Sequence, residues 1–184
     1  MIVENIFGFD LKFETDEKLF SYKSADSGTL FMLEKAEIKS GDIILDIGCG
    51  YGLVGIYCAL KADPKNITMT DIDQVAVEYA RKNLANNDIT GVTVIESDAY
   101  KNVERSDYTL ILSNPPYHAD FSVPKAFIEG GYRRLITGGR MYMVTKRLEW
   151  YKRKFISVFG GVRISRCDDY YVFMGIKDAK ERGI

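Results

Sequence analysis

The chain has 184 residues, 46% hydrophobic and 28% charged, a balance that fits a soluble globular protein and excludes a disordered or membranous one. No apolar run approaches the roughly eighteen residues of a spanning helix, and the opening MIVENIFGFD lacks the basic and apolar regions of a signal peptide, so a cytoplasmic protein without a membrane partner is expected. The net charge of −1 conceals a division: residues 1–124 hold 11 Lys/Arg against 20 Asp/Glu, whereas residues 125–166 hold 11 against 2. Such a basic tract, with Arg133, Arg134, Arg140, Lys146, Arg147, Lys152, Arg153 and Lys154, either attracts phosphates or forms solvated helix faces. Cys49, Cys58 and Cys167 are odd in number and widely spaced, with His118 the only histidine, so neither a disulfide framework nor a metal site is expected.

In chain order, residues 3–7 and 9–13 alternate about Gly8 and predict a short hairpin, followed by a helix over about 27–37. Residues 43–47 read as a buried strand, 53–61 as a helix, 67–70 as a strand, 74–86 as a helix, and 92–96 and 108–113 as two further strands. Ser122 and Pro124 start a helix that runs to about Ile136 and stops near Gly138-Gly139. A strand over 141–144 and a helix over 149–159 follow, and Gly160-Gly161 leads to strands over 162–166 and 170–176. The last two have only a short connection and must be antiparallel, since a parallel return needs a longer crossover. Alternation of this kind gives an α/β class with a doubly wound, mostly parallel sheet covered on both faces. One domain over 1–184 is expected, with 1–40 appended to a core over 41–184.

Asp46-Ile47-Gly48-Cys49-Gly50-Tyr51-Gly52 lies between the first long apolar strand and a helix, where glycines let the backbone approach a ligand. Asp71 ends the next strand and suits a ribose diol; Asp98 ends the third and suits an adenine amine. Each acid alone is equally a helix cap or a turn residue. Gly50-Tyr51-Gly52-Leu53-Val54-Gly55 also matches GxGxxG, the dinucleotide fingerprint, but counting from Gly48 puts Leu53 where the third glycine belongs. The Asp46 carboxylate would also be unwelcome beside a pyrophosphate.

Asn114-Pro115-Pro116-Tyr117 follows the apolar strand directly. Prolines stiffen the turn and bias the residues before them toward extended geometry. The tetrapeptide is either a simple strand terminator or a device that offers a carboxamide, a carbonyl and an aromatic face to a planar amine.

DIGCGYG, Asp71, Asp98 and SNPPY, in this order and at these strand ends, resemble the class I methyltransferases that use S-adenosylmethionine (SAM), over about residues 10–176. More narrowly, FETDEKLFSYKSADSGT and SNPPYH are similar to the small-domain methyltransferase group, which includes ribosomal RNA guanine-N2 methyltransferases. The resemblance implies a Rossmann-like sheet with an antiparallel C-terminal hairpin, and an N-terminal hairpin and helix. It implies that Asp46, Gly48, Cys49, Gly50 and Gly52 hold the amino-acid and ribose side of SAM. Asp71 would hold the ribose, Ile72 would lie against the adenine, and Asp98 with Ala99 would reach its edge. Phe20 and Ser21 match a motif bordering the cofactor, and Asn114 borders both cofactor and substrate.

The implied reaction is in-line methyl transfer to an exocyclic amine of a base, leaving S-adenosylhomocysteine, with guanine N2 in ribosomal RNA or a ribosomal assembly particle favoured. Asn114 and Pro115 would accept the two amine hydrogens, Pro116 would stiffen the turn, and Tyr117 would stack on the base, a contact worth about 1–3 kcal/mol. Tyr132, Arg133, Arg134, Lys146, Arg147, Trp150 and Tyr151 are candidates for RNA docking. Tyr rather than Phe after the prolines is also common in adenine-N6 and protein-glutamine enzymes, which stay as alternatives. Longer ribosomal relatives carry a second, degenerate half that this chain lacks, so RNA docking falls to other surfaces or a partner.

Overall fold

The computed structural model describes residues 1–16, 24–116 and 120–178. A hairpin of β1 (Ile2–Ile6) and β2 (Phe9–Phe13) precedes α1 (Ser27–Lys35), β3 (Ile44–Ile47), α2 (Leu53–Ala59), β4 (Ile67–Asp71), α3 (Gln74–Asn86) and β5 (Thr93–Glu96). Then follow β6 (Tyr108–Ser113), α4 (Ser122–Arg134), β7 (Leu135–Thr145), α5 (Glu149–Phe159), β8 (Arg163–Cys167) and β9 (Tyr170–Ile176). Among the described residues no helix is long and apolar enough to cross a membrane.

The large sheet runs β5-β4-β3-β6-β7-β9-β8, parallel except for β9, which is antiparallel to both β7 and β8. From β3 the chain builds outward through β4 to β5, then returns to β6 on the other side of β3 and builds the opposite way. That reversal opens a crevice beyond the carboxyl ends of β3 and β6, the place where open α/β sheets take ligands. Ser113 Oγ donates to the Ile47 carbonyl at 2.8 Å and ties the two strand ends together.

Alternate strand residues serve opposite faces. Leu110, Leu112, Tyr142 and Val144 face a layer that includes Met32 of α1, Ile56 of α2 and Ala80 of α3. Leu45, Ile111, Met141 and Met143 face the other, with Phe127 and Ile128 of α4 and Phe155 of α5. Burial on both faces is why these strands read as near-continuous apolar runs.

Most boundaries fall within two residues of expectation, with α1, α2 and α4 each ending two residues early, and two of the differences have a local cause. β1 closes at Ile6, paired with Phe9, because Phe7 (φ +49°) is recruited with Gly8 into the two-residue turn. β7 begins at Leu135 and passes through Gly138-Gly139 instead of starting after them. Gly139 lies so close to the neighbouring chain that an added Cβ would stand 3.1 Å from the Tyr108 carbonyl, and the β6–β7 register shifts between Tyr108 and Leu110. The glycines therefore make an irregularity within a strand, not a break before one.

The hairpin also braces the glycine loop. Asn83, fully buried on α3, accepts from the Glu14 N–H at 2.6 Å and donates to the Glu14 and Tyr51 carbonyls at 2.8 and 2.9 Å. Phe13 packs edge-on against Tyr51, with ring centroids 5.3 Å apart. On the sheet's opposite rim, Arg140 Nη2 forms bonds of 2.9 Å to both Asp42 oxygens, and Asp42 also accepts from Thr109 Oγ1 and the Lys39 N–H.

Candidate active site

The crevice holds a cavity of about 320 Å³. Its floor is the glycine loop, whose Gly48 and Cys49 N–H groups are bound to the Thr70 carbonyl at 2.8 and 2.9 Å, fastening the end of β3 to β4. Gly50 has open space where a Cβ would stand, so its backbone is available for close approach. Gly52 does not line the cavity. It precedes α2, and an added Cβ would stand 2.8 Å from Met69 Cε and 3.3 Å from Ala80, so it serves helix packing.

Asp71 organises this floor. One of its oxygens accepts from the Gly50 N–H at 2.9 Å and the other from the Asp73 N–H at 3.0 Å, which orients the carboxylate and leaves further lone pairs for hydroxyl donors. Ile72 is 67% exposed at the cavity edge, an apolar surface with nothing of the described fold covering it. Asp98 and Ala99 complete that side, where Ala99 has φ +49° and its carbonyl accepts from Ser97 Oγ at 2.9 Å.

Asp46 is buried at the cavity's back, accepting from the Gly55 N–H at 3.0 Å. Burial pushes its carboxyl up to about 7; the Gly55 bond pulls the other way, and the Asp71 charge adds to the rise. The fold thus favours the neutral acid, so its contribution to stability is intact below about 3.8 and is lost as pH rises through about 7. A ligand amine brought against Asp46 reverses that preference. Binding of an aminoacyl cation is therefore expected to release a proton at about pH 6, and its affinity to rise toward about pH 7 and then level off. Calorimetry in buffers of different ionisation enthalpy reads the proton directly. Equal heats in all buffers would mean that Asp46 does not meet the amine.

Asn114, at the end of β6, has its amide locked. Nδ2 donates to Asp26 Oδ2 at 3.0 Å and to Thr29 Oγ1 at 2.8 Å. A carboxylate only accepts, so Asp26 fixes which end of the amide is nitrogen. Oδ1 is left buried with no hydrogen-bond partner among the described residues, and Asn114 lines the cavity. An orphaned buried acceptor costs about 1–3 kcal/mol, a cost that a bound N–H donor removes. Pro115 and Pro116 also line the cavity, as do Phe127 and Val123 of α4. Phe20, Ser21, Tyr117 and His118 lie outside the described residues.

Asp26 was not among the residues singled out from sequence. It caps α1 through the Thr29 N–H at 2.8 Å, and its Oδ1 accepts from the Tyr170 hydroxyl of β9 at 3.1 Å. The capping role is legible, since Asp before a helix start is a cap signal. Its partnership with Asn114, 88 residues away, and with Tyr170, 144 away, is tertiary and leaves no local mark.

Four carboxylates, from Asp26, Asp71, Asp73 and Asp98, line the cavity with the buried Asp46 acid, and the described lining includes no Lys or Arg. A pyrophosphate would be repelled, which removes the dinucleotide reading of GxGxxG. SAM, with a sulfonium, an ammonium, one carboxylate and a neutral nucleoside, suits the same set of groups. Asp46 would take the amine and Asp71 the ribose, with Ile72, Asp98 and Ala99 for the adenine.

The family model for the methyltransferase small domain matches residues 10–174. The uncharacterized protein YbxB of Bacillus subtilis is 34% identical over 142 residues, 75% of this chain and 70% of that protein. Ribosomal RNA small subunit methyltransferase C of Mannheimia succiniciproducens is 31% identical over 150 residues, 79% of this chain but 44% of that protein, so the chain spans less than half the length of this relative. A solved 16S rRNA N2 methyltransferase of T. thermophilus, in complex with AdoMet and guanosine, shares the fold with a TM-score of 0.88 over 96% of this chain and 50% of that one, at 23% identity. With fold, cavity and a match over nearly its whole length in agreement, the chain belongs to the methyltransferase small domain family, within the class I SAM-dependent methyltransferases.

Proposed function

We infer that the protein methylates an exocyclic amine of a base in ribosomal RNA, with guanine N2 the first candidate. The observation that carries this reading is the Asn114 carboxamide on a cavity-lining residue, fixed through Nδ2 by Asp26 and Thr29, with Oδ1 buried and without a hydrogen-bond partner among the described residues. The lone pair of an exocyclic amine is delocalised into the ring. Oδ1 accepting one amine hydrogen, with the Pro115 carbonyl accepting the other, would hold the nitrogen and polarise its N–H bonds. When bound, SAM supplies a methyl group on a positively charged sulfur. The acidic lining of the cavity favours that charge, and the closed amide network keeps Asn114 from rotating away.

RNA as substrate is supported by the relatives named for ribosomal RNA methylation and by the basic tract. Guanine rests on the resemblance of SNPPYH to guanine-N2 enzymes, and adenine N6 or a protein glutamine amide would present the same NH2 group. Incubation with methyl-labelled SAM and cell extract, split between ribonuclease and protease, tests the substrate class. Label released by ribonuclease is expected; label released only by protease would replace RNA with protein.

A further inference from the structure

The basic tract divides into cations with structural partners and cations without. Arg140 is bound to Asp42, Arg134 donates to the Tyr100 and Arg105 carbonyls at 3.1 and 3.0 Å, and Lys154 pairs with Glu129. Lys146 and Arg147 differ. Both are exposed, and neither has an acidic partner among the described ion pairs; each lies over an aromatic ring instead. Lys146 Nζ stands 4.7 Å from the centroid of Tyr170, and the Arg147 guanidinium 5.0 Å from that of Phe121. Phe121 is backed in turn by Trp150, stacked at 4.5 Å and 18°. The turn carrying the two cations is fixed by the Arg147 N–H donating to Thr145 Oγ1 at 3.2 Å. Rings hold a cation without neutralising it, so both charges are pre-positioned and free to meet an anion.

Their place follows from the register. Ser113 stands opposite Met143 on the parallel neighbour β7, so Lys146 and Arg147 lie just past the level of Asn114, at the cavity end of the sheet. They diverge to opposite faces of the sheet. Lys146 covers Tyr170, whose hydroxyl bonds the same Asp26 that holds Asn114; Arg147 covers Phe121, which directly precedes α4 and its cavity-lining Val123 and Phe127.

The cavity is thus acidic within and basic at this rim. We propose that Lys146 and Arg147 clamp the phosphates on either side of a nucleotide in single-stranded RNA, while its base enters the cavity. The proposal rests on the reading of RNA base methylation above and adds where the backbone lies. Interior carboxylates reject the phosphates and admit an uncharged base, and the rim cations retain the phosphates outside. A glutamine side chain on a protein would have no use for that partition.

The test is equilibrium binding of a fluorescein-labelled single-stranded RNA dodecamer across a salt series, for the wild type and K146A/R147A. Loss of two phosphate contacts is expected to make the slope of log Kobs against log[salt] shallower by about 1.4, each single variant giving about half. KM for RNA should rise roughly tenfold with kcat kept, since the contacts position substrate without touching the reacting amine. SAM affinity, measured by calorimetry, should stay unchanged and reports an intact fold. RNA methylation by the wild type together with an unchanged salt slope in the double variant would overturn the clamp and leave the activity standing. Failure of the wild type to bind RNA at about 50 mM salt, with label appearing only in protein, would overturn both.

Discussion

Asn114→Ala is expected to lower kcat by at least roughly 10²- to 10³-fold, with SAM affinity close to that of the wild type. Its Oδ1 is buried without a hydrogen-bond partner among the described residues, on a residue that lines the cavity, so the variant loses the atom proposed to hold the amine. The truncation also strips Asp26 and Thr29 of a shared donor. Both keep other bonds, Asp26 to the Thr29 N–H and Tyr170, so α1 stays capped. Asp26→Ala separates holding the amide from being the amide. It leaves the amide held by Thr29 Oγ1 alone, so a smaller fall in kcat is expected, together with a loss of about 1 kcal/mol of stability from the lost cap. Single-turnover kinetics beside calorimetric SAM binding checks both. Wild-type turnover in Asn114→Ala would remove the amide from the mechanism.

Arg140→Ala is expected to destabilise the fold by about 3–5 kcal/mol, the usual result of breaking a buried ion pair from one side. Asp42 and Arg140 are 4% and 9% exposed, and the remaining carboxylate would keep only Thr109 Oγ1 and the Lys39 N–H. A loss of that size is a large share of the ~5–15 kcal/mol that holds most domains folded. It would lower Tm by roughly 10 °C or more. Arg133→Ala, at an exposed position of the same tract, should move stability by no more than about 0.5 kcal/mol. Thermal denaturation of the two variants side by side checks the contrast. Equal Tm values would mean that the Asp42–Arg140 pair contributes nothing to the fold.

That contrast shows what could be read from the sequence and what could not. The parallel core strands, their helices and the antiparallel end were legible because burial on two faces leaves continuous apolar runs and because a short connection forbids a parallel return. The ends of β3, β4 and β6, with Asp46, Asp71 and Asn114, followed from the same pattern. The charge of residues 125–166 was legible as a number but not as a surface. Arg134 and Arg140 are taken up by groups far away in sequence, and only the packed fold shows that Lys146 and Arg147 have rings for partners. Asp26 carries a cap signal that went unused, and its hold on Asn114 appears only when α1 meets the end of β6. Gly138-Gly139 read as a helix stop because composition does not separate a turn from a bulge.

The central claim is that Asn114 grips an exocyclic amine, and the chemical identity of the product tests it most directly. Mass-spectrometric nucleoside analysis of ribosomal RNA, treated with the protein and isotopically labelled SAM, reads which atom has gained the methyl group. The expected product is N2-methylguanosine. A ribose 2′-O-methyl, a ring-nitrogen methyl or a carbon methyl would contradict the account, because none of these acceptors presents the NH2 group that Asn114 Oδ1 is proposed to receive.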